Sequence, residues 1–235
     1  MLVKLSACLL TFTSVVLALT RNEYCGIKCR EGVHTMCIYD GVSKACSPDG
    51  KFGVDDDQKA LIVDLHNRLR NDVASGKEHR GLSGRQPQAS NMKKLVWDDE
   101  VAKVAQRWAD QCTFEHDKCR NDPRFPVGQS MGWAGYVSDE PDWEEQILDW
   151  YNEVKNCNMS ILRSYTPAGV GHYTQIVWAE TEVIGCGYRT DESQTLYVCN
   201  YGPSGNVLYQ QTYQFGPARS ACRDSPVDPE YPALC

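Results

Sequence analysis

The sequence predicts an α+β domain in which helices cover a sheet, and two observations carry that prediction. Three segments in the middle of the chain repeat apolar residues at helical spacing, and from Glu182 onward the period changes to two on either side of a turn. Helical and hairpin runs do not alternate as βαβ units do, which argues against a doubly wound parallel sheet.

The chain opens with MLVKLSACLLTFTSVVLALT, one lysine followed by an apolar run broken only by small polar residues. That reads as a secretory signal over residues 1–18, with Val16 and Ala18 as the small residues before a cut. The run is short for a membrane anchor, and no second apolar span follows. Residues 19–54 form a cysteine-rich arm with little periodicity, and a domain over 55–215 follows it. Its first helix begins near Asp57, where Ile62, Leu65, Leu69 and Val73 share a stripe. GKEHRGLSGRQPQASN (76–91) reads as a loop. In the second helix Val101, Val104, Ala105, Trp108 and Cys112 recur on one face, and Asp98, Asp99 and Glu100 suit its N-terminal dipole.

The third helix opens at PDWEEQILDWYNEV. Asp142 and Glu145 have capping-box spacing, and Trp143, Ile147, Trp150 and Val154 form the buried stripe. Glu153 lies about 60° around the helix from Trp150, at the edge of that stripe and within reach of a cleft. EVIGCGYR and TLYVCNY then flank a turn centred on residues 191–194, which sets Cys186 opposite Cys199 at a separation that a disulfide can close. Residues 216–235 form an irregular, proline-bearing tail with two cysteines.

Hydrophobic residues make up 42% of the chain, as in globular proteins, and the formal net charge is -7. Loss of residues 1–18 removes Lys4 and moves the charge to about -8. Such a surface repels phosphate backbones and anionic lipid, so neither nucleic acid nor a polybasic membrane contact is expected. Eleven of the twelve cysteines lie beyond the signal, and in a secreted chain they form a disulfide framework. Cys25-x3-Cys29 has neither the spacing nor the histidine partners of a zinc finger. Because eleven is odd, at least one thiol stays free or bonds another molecule.

GHYTQIVW (171–178), the EVIGCG after it and YVCNYGPSGN (197–206) together resemble the signatures of the CAP superfamily of cysteine-rich secretory, antigen-five and pathogenesis-related proteins. NEYCGIKC, HTMC at 34–37 and AQRWADQCTFEHDKCRN at 105–121 are similar to its arthropod antigen-five branch, found in venom and saliva. The resemblance covers nearly all of 22–210. It implies an α-β-α sandwich with a central antiparallel sheet, in which GHYTQIVW starts as a short helix. It also implies the disulfides Cys25–Cys37, Cys29–Cys119, Cys46–Cys112 and Cys186–Cys199. Cys157, Cys222 and Cys235 have no partners in that pattern. We expect Cys157 to bond Cys222, leaving Cys235 free or available for a disulfide-linked dimer.

The resemblance further implies a cleft tetrad at His116 in FEHD, Gln129 in VGQSM, Glu153 in WYNEV and His172 in GHYTQ. Many relatives carry glutamate where this chain has Gln129, and the amide keeps an acceptor but loses the charge. Two readings of the tetrad stand side by side. It is a mutually satisfied polar network, or its histidines His116 and His172 hold zinc weakly, as an accessory and not a required cofactor. On the second reading a glutamate restored at 129 tightens zinc, His172→Ala abolishes binding, and affinity weakens below about pH 6.5 as the imidazoles protonate.

No G-x-S-x-G elbow or H-E-x-x-H helix supports catalysis, and Ser130 and Thr174 are only near the tetrad in sequence. His66 reads as a packing residue, and His34 and His79 as loop residues. Asn158-Met159-Ser160 is a glycosylation sequon. The function expected is that of a secreted, non-enzymatic allergen that binds a host protein or a small lipid. Leu65, Leu69, Ile147, Trp150 and Tyr151 read first as core packing, and only second as the lining of a channel for the latter. The alternative is a metal- or His/Glu-dependent hydrolase acting in the cleft.

Overall fold

A computed structural model describes residues 19–135, 140–223 and 225–235. The signal segment expected over 1–18 lies outside them. Strands β1 (Val96–Trp97), β2 (Gly128–Ala134), β3 (Val183–Thr190) and β4 (Thr195–Gly202) form one sheet in the order β1-β3-β4-β2. The three long strands are antiparallel, and only the two-residue β1 runs parallel, beside β3. The β3–β4 hairpin closes where Asp191 N–H donates to Gln194 O at 2.8 Å, and its register places Cys186 directly opposite Cys199.

Helix α4 (Asp99–Ala109), capped by Asp98, lies against β3 and β4. Its close approach depends on Gly185 and Gly187, alternate residues on one face of β3. A Cβ there would stand 2.2 Å from Ala102 N and 2.4 Å from Gln106 Cα. The long helix α3 (Asp56–Ala74), α5 (Trp143–Asn152) and the short α7 (Gly171–Ile176) gather around the main core, where Ile62, Ile147, Ile176, Ile184 and Tyr201 are fully excluded from solvent. A small cluster of Ala105, Ala109, Met131 and Val198 fills the space on the α4 side.

A buried guanidinium ties this scaffold together. Arg70 on α3 is fully enclosed and donates to the carbonyls of Lys93, Ile176, Trp178 and Thr181 at 2.5–3.0 Å. Five guanidinium N–H groups thus satisfy irregular backbone that has no secondary-structure partner. Burial pushes its pKa down to about 9, which leaves it charged at neutral pH. His66, one turn earlier, donates from Nδ1 to Ile62 O at 2.8 Å, and its Nε2 meets the Tyr201 hydroxyl at 3.1 Å. It is the packing residue expected.

In the N-terminal arm, α1 (Arg21–Gly26) and α2 (Thr35–Ile38) are joined by Cys25–Cys37. Cys29–Cys119 and Cys46–Cys112 fasten the arm to the region of α4. His34, read from sequence as a loop residue, is buried: its Nδ1 accepts from Met36 N–H to cap α2, its Nε2 contacts Asn121 O at 2.9 Å, and Tyr24 stacks on its ring.

The tail departs from expectation. Cys222 bonds Cys235, and Cys157 is a buried free thiol. The predicted Cys157–Cys222 bridge is therefore not formed, and Cys235 is not available to link a second molecule. The reason is local. Cys235 is tied into the 92–94 segment by its N–H to Met92 O at 2.7 Å and by Lys94 N–H to its own carbonyl at 3.1 Å, so the tail closes on itself. Cys157 ends the 3-10 turn that extends α5 and packs within the main core, where burial raises its thiol to about 12.

The apolar channel residues also resolve. Leu65, Ile147, Trp150 and Tyr151 are at most 5% exposed and belong to the main core, with Leu69 packed against it. They pack the core, the first of the two readings, and Trp150 also borders the cavity beside His172.

Candidate functional site

Glu153 begins a 3-10 turn, Glu153–Asn156, that continues directly from α5. The turn aims its carboxylate at the start of α7, whose preceding residue, Val170, offers no side-chain cap. Glu153 Oε2 accepts from the backbone N–H of His172 at 2.8 Å and of Tyr173 at 3.1 Å, so it caps α7 from another element. Its Oε1 accepts from His172 Nδ1 at 2.7 Å. Trp150, three residues before Glu153, stacks on the imidazole with the planes 15° apart. One segment therefore seats His172: Trp150 holds the face of its ring and Glu153 holds its edge.

The second pair is separate. His116 Nδ1 faces Gln129 Oε1 at 2.8 Å, while Gln129 Nε2 donates to Asp117 Oδ1 at 3.2 Å and Asn200 Oδ1 at 3.1 Å. The orientation of this amide is fixed by its neighbours. Asp117 and the Asn200 oxygen can only accept, and the Asn200 amide nitrogen points at Val101 O, so the glutamine must present NH2 to them and its oxygen to His116. His116 consequently donates from Nδ1 and keeps its lone pair on Nε2. The same holds for His172, whose Nδ1 donates to a carboxylate.

The four tetrad residues thus form two pairs, with no hydrogen bond between the pairs among the described residues. Glu153 has both oxygens engaged, and Gln129 has both ends engaged. What remains for a metal is two imidazole Nε2 atoms, one fewer than the three protein ligands of a catalytic zinc. No group of three or more His, Cys, Asp or Glu side chains suited to a metal occurs among the described residues. The donor set does not fit zinc as a resident cofactor.

Around His172 opens a cavity of 590 Å3 lined by Trp150, Glu153, Phe114, Met131 and Trp133. Of the hydroxyls near the tetrad in sequence, Ser130 is 1% exposed, and Thr174 Oγ1 bonds Val170 O and Asn206 Oδ1 at 3.0 and 2.7 Å. Neither faces the cavity. Sequence reasoning missed Asp117, Asn200 and Phe114. Asp117 and Phe114 flank His116 in TFEHD, and Asn200 lies in the CNYG motif, so proximity to tetrad motifs was the available signal. Asn158 caps α6 (Met159–Arg163) through Oδ1, which accepts from Ser160 N–H at 3.0 Å and Ile161 N–H at 3.1 Å.

The cysteine-rich secretory protein family matches residues 63–201. Venom allergen 5 of Polistes dominula is 45% identical over 219 residues, which is 88% of this chain and 96% of that protein. Venom allergen 3 homolog of Dinoponera quadriceps is 43% identical over 228 residues, covering 89% and 99%. Among solved structures, NaASP2 with Zn2+ superposes with a TM-score of 0.67 at 29% identity, covering 81% of this chain and 99% of that one. Motif order, disulfide framework, sheet and sequence identity agree: the chain belongs to the cysteine-rich secretory protein (CAP) family, on its antigen-five venom allergen branch.

Proposed function

We propose that this secreted protein acts by binding a host macromolecule and not by turning over a substrate, and that it serves as an antigen-five-type allergen in venom or saliva. The observation that carries the reading is the state of Glu153. A general base needs a carboxylate oxygen open to the proton it removes, and both oxygens of Glu153 are engaged in capping α7 and orienting His172. His116 and His172 serve zinc only as a weak accessory site, because two imidazoles are the whole donor set. Asn158, with its oxygen in the cap and its amide nitrogen outside it, is proposed as the glycan acceptor.

The purified protein, incubated with peptide and ester libraries with and without chelator, is expected to show no turnover. Turnover that disappears in His172→Ala would establish the hydrolase instead.

A further inference from the structure

We propose that His34 is an acid-sensitive latch on the N-terminal arm. When its imidazole takes up a proton, α2 loosens, and the change reaches Gln129 and His116 in the cleft through Thr35 and Asp117. The latch goes beyond the binding reading above and does not depend on it. The hydrogen bonds at His34 admit one protonation state. Nδ1 accepts from Met36 N–H at 3.1 Å and so carries a lone pair, and Nε2 then holds the proton that Asn121 O receives at 2.9 Å. A second proton has only Nδ1 to go to, where it would point at the Met36 N–H and end the cap of α2. The residue is 1% exposed and Tyr24 stacks on its ring at 5.0 Å, so no bulk water is at hand to accept the new donor.

The charges around the ring do not rescue an imidazolium. The two acids that favour it are already committed, Asp117 to Arg120 and Asp122 to Arg124 at 2.6 Å. From α4, Lys103 Nζ lies 5.1 Å from the centre of the Tyr24 ring, a cation on the same aromatic that stacks on His34. Burial therefore outweighs both carboxylates and holds His34 below its ordinary 6.5. What the proton disturbs is small and separable. α1 and α2 meet α4 in a satellite cluster of Tyr24, Met36 and Val104, apart from the main core. Cys25–Cys37, Cys29–Cys119 and Cys46–Cys112 keep the arm tethered, so loss of the cap loosens α2 without releasing the arm.

The residue after His34 carries the change to the cleft. Thr35, the first residue of α2, donates from Oγ1 to Asp117 Oδ2, and its N–H bonds Cys119 O at 2.8 Å. Asp117 Oδ1 accepts from Gln129 Nε2 at 3.2 Å, and Gln129 Oε1 accepts from His116 Nδ1 at 2.8 Å. Three consecutive hydrogen bonds thus join the arm to His116, and they start at two buried side chains, Thr35 and Asp117. When α2 loosens, Asp117 loses a donor, and the amide that it orients is free to move. Closed His34 binds fewer protons than open His34, so closure is complete above about pH 6.5 and weakens as pH falls below it. Each unit by which burial lowers the pKa is worth about tenfold in the ratio of closed to open forms.

The test is NMR on the full secreted chain at pH 7.5 and at pH 5.0, which stays above the value of about 4 at which buried His66 titrates. Amide hydrogen exchange, corrected for its intrinsic pH dependence, is read at Met36 and Ile38, and the shift of the Gln129 side-chain amide is read beside it. Both backbone amides are expected to lose about tenfold in protection at pH 5.0. His34→Asn keeps an N-capping oxygen but does not titrate, so it should hold its protection constant and lack part of the acid-induced shift at Gln129. Thr35→Val should still lose protection at Met36 and lack the same part of the shift at Gln129. Wild-type protection that is equal at both pH values overturns the latch, whether or not either variant folds. The same loss in His34→Asn as in wild type overturns the role of His34. A Gln129 shift as large in His34→Asn and Thr35→Val as in wild type overturns the route to the cleft.

Discussion

From sequence, replacing Gln129 with glutamate should tighten zinc. The structure changes that expectation. Gln129 Nε2 donates to Asp117 Oδ1 and Asn200 Oδ1, and a carboxylate can donate to neither. Asn200 is completely buried, so its oxygen loses that donor without gaining water; such a loss costs about 1–3 kcal/mol. The new charge also faces Asp117, whose compensation by Arg120 and the Thr35 hydroxyl is already committed. At an effective dielectric of about 20, like charges roughly 5 Å apart repel by about 3 kcal/mol, and partial exposure of residue 129 reduces this to about half. A net loss of about 3 kcal/mol corresponds to a Tm lower by roughly 6–12 °C for a chain of this size. The sign with pH follows from the repulsion. It raises the folded pKa of the new carboxyl, so its protonated form can donate again and stability returns as pH falls. Calorimetry of wild type, Gln129→Glu and the uncharged Gln129→Leu at pH 7 and pH 5 checks this. A Gln129→Glu protein as stable as wild type at pH 7 would refute the amide orientation and the role given to Asp117.

Three further outcomes are expected. His66 is held neutral by burial, which lowers its pKa from 6.5 to about 4. The unfolded chain therefore takes up a proton between those values that the native one refuses, and stability is lost as pH falls through that window, by about 3 kcal/mol in full. Urea midpoints at pH 7.5 and 4.5 test this, and His66→Gln should flatten the slope. Arg70→Met should destabilise by about 3–5 kcal/mol by leaving four buried carbonyls without donors, measured by urea unfolding; a loss under 1 kcal/mol would show that the loops find other partners. Finally, iodoacetamide should label no thiol in the native protein and only Cys157 after denaturation without reductant, read by peptide mapping; labelling at Cys222 or Cys235 would contradict the tail disulfide.

What the sequence made legible follows from the range of the interactions involved. The stripes of α3, α4 and α5 and the Cys186–Cys199 register are set by neighbours within a few residues, and periodicity shows them directly. β2 left no such trace: GQSMGWA has two glycines and no alternation, and it is a strand because β4 pairs with it along its whole length. The tail pairing was misjudged because counting unpaired cysteines treats them as equivalent. Cys235 is placed by two backbone hydrogen bonds to the 92–94 segment, which spacing along the chain does not reveal. Arg70 was passed over for the same reason, since its partners lie more than twenty and more than a hundred residues away.

The tetrad itself was found by resemblance, but its chemistry depends on atoms that motifs do not specify. A histidine and a carboxylate in one cleft are compatible with a base, a ligand or a cap. The choice turns on where each lone pair points. Here the carboxylate belongs to the N-terminus of α7, and the amide at 129 belongs to Asp117 and Asn200, so the polar groups most suggestive of catalysis serve mainly to seat two imidazoles. Beside them, Asp149 and the ring of Phe114 are exposed. Motifs thus locate the cleft, and the direction of each lone pair decides what its side chains can do.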